Sequence, residues 1–228
     1  MNYNYEENEK KISVAVIRRL PRYFRYLRGL IEQGITRVSS AELARMMEVT
    51  ASQIRQDLNC FGGFGQQGYG YNVEHLYDQI CELLGVKEDY RAVIIGAGNL
   101  GRAIVRSPMF ERRGVTPVAM FDISEDIVGN TVGAIPVYHM KDLETFCRVQ
   151  KVDIGILVLP KDQAEGALTV LEKAGVRGIW NFTSAELNTE NEETLVENVH
   201  LGDSLMTLCY RLRSNGAAGD SDNSKTED

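Results

Sequence analysis

The sequence YRAVIIGAGNLGRAIVRSPMFERRGVTPVAMFD, residues 90–122, decides the fold of the larger part of this chain. A short apolar run leads into a loop that contains Gly96, Gly98 and Gly101, and a helical pattern of apolar residues follows. A second apolar run then ends on Asp122. This order of strand, glycine turn, helix, strand and acid predicts a unit that binds a dinucleotide.

Each residue type in the motif has a physical reason. Gly96 permits the tight turn, Gly98 lets a pyrophosphate approach the backbone, and Gly101 lets the helix pack against the sheet. The helix that begins near Asn99 directs free N–H groups at the phosphates. Asp122, about 20 residues later, accepts hydrogen bonds from the adenosine ribose and repels a 2′-phosphate, which favours NAD over NADP. A glycine-rich turn that binds nothing, or binds coenzyme A, is the alternative.

Strand and helix patterns continue to alternate after Asp122. We predict a hairpin at 129–138, helices at 140–150 and 161–175, and strands at 152–160, 176–183 and 194–200. That alternation is typical of an α/β fold with a doubly wound parallel sheet, a Rossmann domain. Ligands of such sheets lie beyond the carboxyl ends of the strands. The predicted residues that bind NADH or NAD+ are Gly96, Ala97, Gly98, Asn99, Leu100, Gly101, Asp122, Pro160, Asn181, Phe182 and Thr183.

Charge is distributed unevenly along the chain. The formal net charge is −7, yet residues 10–72 contain ten basic and four acidic residues. The first nine residues and the remainder of the chain are acidic. This asymmetry predicts that the basic module binds an anionic partner and that the acidic module does not.

The basic region has the pattern of a winged helix-turn-helix. Pro21 begins a helix that follows a short lead-in helix, and Gly34 ends it. Ser39 or Ser40 caps the next helix, in which Glu42 completes a capping box. Thr50 or Ser52 caps a second helix that ends at Cys60, and the glycine-rich residues 62–71 predict a hairpin, or wing.

We predict that the second of these helices enters a major groove of double-stranded DNA, because its polar residues can bond to base edges and phosphates. The alternative is a small helical domain with a solvated polar face. The predicted DNA-binding residues are Arg22, Ser39, Thr50, Ser52, Gln53, Arg55, Gln56, Asn59, Gln66, Gln67 and Tyr69.

Other features limit the class of protein. There is no apolar stretch long enough to span a membrane and no signal peptide, and the four scattered cysteines fit a reducing cytoplasm and argue against a metal site. We expect core or near-core positions for all four. The helix at 201–213 is apolar on more than one face, which predicts burial against another subunit.

The expected organisation is a DNA-binding domain at 1–85 whose last helix, 72–85, connects to a Rossmann domain at 86–200. A dimerisation helix at 201–213 and a disordered tail at 214–228 follow, and residues 1–12 are also expected to be disordered.

Seven segments, in order along almost the whole chain, closely resemble the Rex family of redox-sensing transcriptional repressors. They are RLPRYFRYL at 19–27, VSSAELA at 38–44, FGGFGQQGYGYNV at 61–73, GAGNLGRA at 96–103, FD at 121–122, IPVY at 135–138 and NFT at 181–183. The resemblance implies a homodimer in which the C-terminal helix is exchanged and inserts between the partner's two domains. The dimer would read an inverted repeat in operator DNA. NADH would bind the Rossmann domain, close the dimer and release the DNA.

The sequence departs from the family pattern at several positions. Family members usually carry an aromatic residue where Ser107 stands and an acid where His200 stands, and both positions belong to the machinery that distinguishes the two cofactor states. Basic residues usually occupy the positions of Gln66 and Gln67, and a second arginine the position of Gln56. Cys60, at the end of the predicted recognition helix, is interpreted as a structural thiol, with an oxidant sensor as the alternative.

The main rival is an NAD-dependent dehydrogenase with an N-terminal extension. Hydride transfer to a carbonyl needs a positioned acid or base and a substrate pocket. The three histidines, His75, His139 and His200, lack an accompanying catalytic motif. We therefore predict a regulator with no catalytic residues and no metal site, and keep a coenzyme A-binding regulator as a third possibility.

Overall fold

The computed structural model describes residues 12–60, 65–66 and 69–219. The chain divides into two units, Met1–Glu88 and Asp89–Asp228. The N-terminal segment that we expected to be disordered lies, apart from residue 12, outside the described residues.

Five helices form among the described residues of the N-terminal unit. They are α1 (Val14–Ile17), α2 (Leu20–Glu32), α3 (Ser40–Met47), α4 (Ala51–Asn59) and α5 (Val73–Leu83). Pro21 lies in the first turn of α2, where its missing N–H costs nothing. Ser39 caps α3, and its backbone N–H donates to Glu42 in return, so the predicted capping box is confirmed.

The turn between α3 and α4 is tight because Glu48 adopts a left-handed conformation, with φ of 52°. The Thr50 hydroxyl then accepts a hydrogen bond of 3.1 Å from the backbone N–H of Gln53. Of the two candidate caps, Thr50 is therefore the right one, and Ser52 lies inside the first turn of α4. The second helix of the pair begins at Ala51, one residue earlier than predicted.

A small antiparallel sheet completes this unit. Its strands are β1 (Arg37–Val38), β2 (Gly65–Gln66) and β3 (Gly70–Asn72), with β3 in the centre among the described residues. The hairpin of β2 and β3 is the predicted wing, although residues 61–64 and 67–68 lie outside the described part of the chain. At Gly70 φ is +70°, and a Cβ would lie 2.7 Å from the Val38 carbonyl oxygen, so β3 approaches β1 too closely for a side chain.

Helix α5 belongs to the core of the N-terminal unit. Val73, Leu76 and Ile80 are fully buried in the same cluster as Leu27 and Leu30 of α2. Burying each of these side chains contributes about 1.5–3 kcal/mol. The helix expected at 72–85 is therefore present, and its apolar stripe packs on α2.

The C-terminal unit is built on one large sheet. Its strands are β4 (Tyr90–Ile95), β5 (Val115–Asp122), β6 (Thr131–Val132), β7 (Ile135–His139), β8 (Ile154–Leu157), β9 (Gly178–Asn181) and β10 (Leu195–Asn198). Their order among the described residues is β10-β9-β8-β4-β5-β7-β6, and all neighbours are parallel except the edge pair of β6 and β7. The helices are α6 (Asn99–Val105), α7 (Leu143–Gln150), α8 (Ala164–Lys173) and α9 (Leu201–Gly219).

Strand β4 shows why this sheet is covered on both faces. Val93 and Ile95 pack into one apolar cluster, which also contains Leu168 and Leu171 of α8, whereas Ile94 packs into a second cluster on the other face. A continuous apolar strand is what a parallel sheet with helices on both faces requires. The predicted doubly wound α/β domain is confirmed.

Helix α9 differs from prediction in its length. It continues to Gly219, six residues beyond the expected end at Arg213. The expected disordered tail therefore begins inside a helix, and residues 220–228 lie outside the described part of the chain. The side chains of residues 201–214 are exposed, with Leu205 at 60% and Met206 at 67% exposure.

Three general features complete the description. No helix among the described residues has both the length and the apolar character that crossing a membrane requires. The described residues also contain no group of three or more His, Cys, Asp or Glu side chains arranged to hold a metal ion. All four cysteines are free thiols, and Cys81 and Cys147 are buried as expected, but Cys209 is exposed on α9. Burial raises the pKa of Cys147 to about 12, which makes its thiol unreactive.

Candidate functional sites

The glycine loop between β4 and α6 is shaped by close backbone contacts. Gly96 has φ of +105°, and a Cβ there would lie 2.5 Å from the carbonyl oxygen of Val158. A Cβ on Gly101 would lie 2.0 Å from the carbonyl oxygen of Gly96. Both glycines are therefore required by the packing of the loop against the sheet and against its own helix.

Gly98 is different, because a Cβ there would meet nothing within 4 Å. Its backbone is extended and lies outside the left-handed region. The fold itself therefore does not require glycine at this position. The space that a side chain would occupy is open, as the approach of a ligand to the backbone requires.

Asp122 ends β5 beside this loop. Its Oδ2 atom accepts a hydrogen bond of 2.7 Å from the backbone N–H of Ala97, and its Oδ1 atom accepts one of 2.9 Å from Ser124. Each carboxylate oxygen can accept a further hydrogen bond. The carboxylate is thus fixed in place by the backbone and keeps capacity to accept donors such as ribose hydroxyls.

A cleft of about 340 Å³ opens at the carboxyl ends of the central strands. Four predicted cofactor-binding residues line it, namely Gly96, Gly98, Asp122 and Pro160. Ala97 is fully buried behind the loop, and Asn99 and Leu100 are exposed in the first turn of α6. The glycine loop, the acid and the turn after β8 therefore meet at one cleft.

Sequence reasoning missed part of the cleft wall. The additional lining residues are Ile95, Phe121, Ile123, Met140, Val158, Leu159 and Gln163, of which Leu159 is the neighbour of the predicted residue Pro160. Ile123, Met140 and Val158 each follow the end of a parallel strand, so the strand-end rule could have found them. Gln163 lies in the 3-10 turn before α8, and its sequence context carries no such signal.

Asn181 and Thr183 are not among the residues that line this cleft. The Asn181 side-chain nitrogen donates to Ala185 and Asn198, both at 2.7 Å, and its oxygen accepts from the Thr183 hydroxyl at 2.7 Å. Both side chains are buried, and their hydrogen bonds are made within the protein. They hold the loop after β9 in place, and the predicted contact of these residues with the cofactor stays a prediction. Phe182 packs edge-on against Trp180, with ring centroids 4.6 Å apart.

In the N-terminal unit, helix α4 presents one polar face to solvent. Ser52, Arg55, Gln56 and Asn59 are exposed, and their spacing puts them on one side of the helix. The Arg55 guanidinium donates a hydrogen bond of 3.3 Å to the hydroxyl of Ser40, which leaves it further donors. These four side chains have the chemistry that base edges and phosphates accept.

Gln53 is not part of that free face. Its side-chain nitrogen donates to Asp57 at 2.8 Å, and the same buried carboxylate accepts two hydrogen bonds from Arg19 and one from Tyr23. Burial by itself raises the pKa of Asp57, but the bonds from Arg19, Gln53 and Tyr23 outweigh it and hold the pKa below its ordinary value. Gln53 therefore has a structural role, and its predicted contact with DNA stays a prediction.

Three other predicted DNA-binding side chains also make contacts within the protein. Ser39 and Thr50 cap α3 and α4, so their hydroxyls bond to backbone N–H groups. Arg22 donates to the carbonyl oxygen of Met47 at the end of α3. All three side chains bond to backbone groups at the ends of helices. A phosphate can still approach a capping hydroxyl or a guanidinium at such a place.

On the wing, Tyr69 is 69% exposed, and Arg37 donates a hydrogen bond of 3.1 Å to its carbonyl oxygen. The Arg37 guanidinium also lies over the Tyr69 ring, 5.9 Å from its centroid. Gln66 lies in β2, whereas Gln67 lies outside the described residues. The described wing therefore exposes an aromatic ring beside a cation.

Ser107, His200 and Cys60, which were also singled out from the sequence, each make a contact within the protein. The Ser107 hydroxyl accepts a hydrogen bond of 3.3 Å from the backbone of Met109, just after α6. His200, immediately before α9, lies with its Nε2 atom 2.7 Å from a carboxylate oxygen of Glu186. Cys60 is half-buried and donates to the carbonyl oxygen of Gln56 at 3.3 Å.

Comparison with known proteins finds relatives that match both units of the chain. Residues 11–59 match a family described as putative DNA-binding protein N-terminus, and residues 87–185 match one described as CoA binding domain. A redox-sensing transcriptional repressor Rex of Thermoanaerobacter pseudethanolicus is 50% identical over 202 residues, which cover 89% of this chain and 90% of that protein. The Rex of Caldicellulosiruptor bescii is 46% identical over 204 residues, 90% of this chain and 94% of that one.

Solved structures give the same relationship. A crystal structure of RSP in complex with β-NAD+ and operator DNA matches with a TM-score of 0.85 and 46% identity, over 96% of this chain and 100% of that one. A structure of RSP in complex with β-NADH matches with a TM-score of 0.85 and 44% identity, over 93% of this chain and 99% of that one. RSP is described as a Rex-family repressor.

Proposed function

This chain belongs to the Rex family of redox-sensing transcriptional repressors, and we propose that it binds operator DNA and releases it when NADH binds. The observation that carries the proposal is the pairing, on one chain, of an exposed polar face on α4 with a cleft that joins a glycine loop to Asp122. We assign DNA binding to residues 1–85, cofactor binding to 86–200 and dimerisation to 201–213.

The cofactor proposal rests on the shape and chemistry of the cleft. Open space at Gly98 and the fixed carboxylate of Asp122 suit a pyrophosphate and an adenosine ribose. The carboxylate also opposes a 2′-phosphate, which favours NADH and NAD+ over their phosphorylated forms. The solved relatives hold NAD+ or NADH, which supports a nicotinamide dinucleotide over coenzyme A.

The DNA proposal rests on the exposed face of α4 and on the wing. We propose that Arg55, Gln56 and Asn59 read base edges in a major groove, and that Ser52 and the capping hydroxyls contact phosphates. Arg22 and the exposed ring of Tyr69 lie in the same unit and add contacts to the backbone or the minor groove. A solved relative at 46% identity is in complex with operator DNA, which supports this assignment.

The homodimer proposal rests on α9. Leu201, Leu205, Leu208 and Leu212 are all more than half exposed on a helix at the end of the described chain. An apolar surface of that kind marks a protein interaction site, and a second copy of the same chain supplies two recognition helices for an inverted repeat. We propose that α9 is exchanged between the two subunits of this dimer.

Redox sensing then follows from linkage. If NADH binds one arrangement of the dimer more tightly and operator DNA binds the other, each ligand lowers the affinity for the other by the same factor. A ligand that binds both arrangements of the dimer equally tightly does not shift the equilibrium between them. The ratio of NADH to NAD+ therefore matters only if the two cofactors differ in their preference for one arrangement. Ser107 and His200 are the two positions of that cofactor-distinguishing machinery at which the sequence was found to depart from the family pattern.

Family membership also decides against the enzymatic alternative, since the relatives are repressors and not dehydrogenases. A repressor that binds DNA and NADH acts in the compartment that contains both. We therefore propose a cytoplasmic location.

The deciding experiment is fluorescence anisotropy with a labelled inverted-repeat operator, titrated separately with NADH and NAD+ at fixed salt. We expect NADH to release the DNA at concentrations at which NAD+ does not. Release by both cofactors, or by neither, would contradict redox sensing while leaving the family and the fold intact.

A further inference from the structure

A charged side chain that is not part of the dinucleotide fingerprint is attached to the glycine loop. The Nε atom of Arg102 donates a hydrogen bond of 2.8 Å to the carbonyl oxygen of Ala97. The backbone N–H of Ala97 donates a hydrogen bond of 2.7 Å to the carboxylate of Asp122. Ala97 is fully buried, so one residue of the loop is hydrogen-bonded to a cation through its carbonyl oxygen and to an anion through its N–H.

The charge of the cleft makes this cation significant. The residues that line the cleft include the carboxylate of Asp122 and neither lysine nor arginine. A dinucleotide brings two negative charges on its pyrophosphate, and Asp122 alone would repel them. Arg102 is not itself a lining residue, but its hydrogen bond attaches it to Ala97, the residue between the two cleft-lining glycines Gly96 and Gly98.

We propose that Arg102 is a recognition residue for the pyrophosphate of the bound dinucleotide, an inference that rests on the proposed function. A guanidinium has five N–H donors in a planar fork, and the hydrogen bond to Ala97 uses the one on Nε. The two terminal nitrogens supply the paired donors that suit phosphate oxygens. Because NAD+ and NADH share the pyrophosphate, Arg102 strengthens both complexes equally and contributes nothing to redox discrimination.

The test compares Arg102→Ala, Arg102→Gln and Arg102→Lys with Arg106→Ala, which removes the same charge from an exposed position at the C-cap of the same helix. The probes are NADH, NAD+, ADP-ribose and adenosine, the first three measured by calorimetry and adenosine by NMR titration. We expect Arg102→Ala to lower the affinity for all three pyrophosphate ligands by about tenfold or more. Adenosine affinity stays the same, and so does the ratio of the NADH and NAD+ affinities.

The conservative variants separate charge from loop geometry. Arg102→Lys keeps the charge and should retain part of the affinity for ADP-ribose, whereas Arg102→Gln can still donate to Ala97 but should lose as much as the alanine variant. An equal loss for adenosine and ADP-ribose would show that Arg102 acts only by shaping the loop, and unchanged binding in all variants would also overturn the proposal. If the wild-type protein bound neither NADH nor ADP-ribose, the proposed function itself would fail.

Discussion

The carboxylate of Asp57 and the guanidinium of Arg19 form two parallel hydrogen bonds, each 2.7 Å long, between α4 and the residue that precedes α2. Asp57 is fully buried, and Tyr23 and Gln53 donate to it as well. Bidentate bonds between charged groups are among the strongest in proteins. The orientation of the proposed recognition helix therefore depends on an ion pair on its inner face whose carboxylate is buried and whose guanidinium is partly exposed.

Asp57→Asn should destabilise the N-terminal unit by about 3 kcal/mol, since removing one partner leaves the other without its counter-charge. Hydrogen exchange of amides in α4 measures the effect locally. The exposed pair of Arg28 and Glu32 provides the control. Glu32→Gln should change the free energy of opening, measured from the same exchange rates, by less than about 1 kcal/mol. Equal effects of both substitutions would contradict the structural role of Asp57.

The same carboxylate predicts a pH dependence. The pKa of Asp57 is lower in the folded protein than its ordinary value of 3.8, so the folded state binds this proton less readily than the unfolded state does. Its contribution to stability is complete above the ordinary pKa and is lost as the pH falls through the folded pKa. Urea unfolding of wild type and Asp57→Asn between neutral and acidic pH isolates this contribution. The two free energies of unfolding should converge at low pH, and a constant difference would refute the assignment.

Gly98 and Gly101 should respond in opposite ways to alanine. Gly98→Ala places a methyl group in open space, so the protein should keep its thermal stability but lose about tenfold or more in NADH affinity. Gly101→Ala drives a methyl group into the carbonyl oxygen of Gly96, and overpacking of this kind costs about 1–3 kcal/mol. Differential scanning calorimetry and NADH fluorescence separate the two effects. A Gly98→Ala protein that binds NADH normally would argue against backbone contact with the pyrophosphate.

Arg55 and Gln53 lie two residues apart on α4 but should behave differently. Arg55→Ala removes an exposed donor and should weaken operator binding by about 1–3 kcal/mol. Gln53→Ala removes a bond to Asp57 and should lower stability by about 1 kcal/mol without changing which base pairs are preferred. Anisotropy on operators with single base-pair changes checks both expectations. Altered base preference in Gln53→Ala would restore that residue to the recognition surface.

Helix α9 should be required for the dimer. Leu205→Asp combined with Leu208→Asp introduces charges on its exposed apolar surface and should convert the dimer into monomers in light scattering. Ser204→Asp, on an exposed polar position of the same helix, should leave the dimer intact. A dimer that survives the double substitution would place the interface elsewhere.

Local signals in the sequence were sufficient for much of this structure. The capping box at Ser39, the turn at Gly96 and the strand that ends on Asp122 each depend on residues close together in the chain. The periodicity of α4 also identified its exposed side correctly for Ser52, Arg55, Gln56 and Asn59.

Long-range hydrogen bonds account for most of what the sequence did not reveal. Gln53 and Asp57 are one turn apart on α4, but periodicity cannot show that this carboxylate is buried under Arg19 and Tyr23, which are distant in sequence. Asn181 follows a strand end, as a ligand-binding residue would, yet its partner Asn198 comes from the next strand. The strand Arg37–Val38 is too short to give an alternating pattern and forms only because β3 pairs with it.

The position of β4 in the middle of its sheet has a consequence for the order of folding. Its neighbours are β5, the next strand in the chain, and β8, which follows only after a hairpin and a helix. Gly96 reaches its strained conformation against Val158, directly beyond β8. Contacts between residues so distant in sequence form late and slowly. During synthesis, the ribosome must therefore release the chain well beyond residue 160 before any cofactor can be captured, and a nascent chain cannot yet respond to the redox state of the cell.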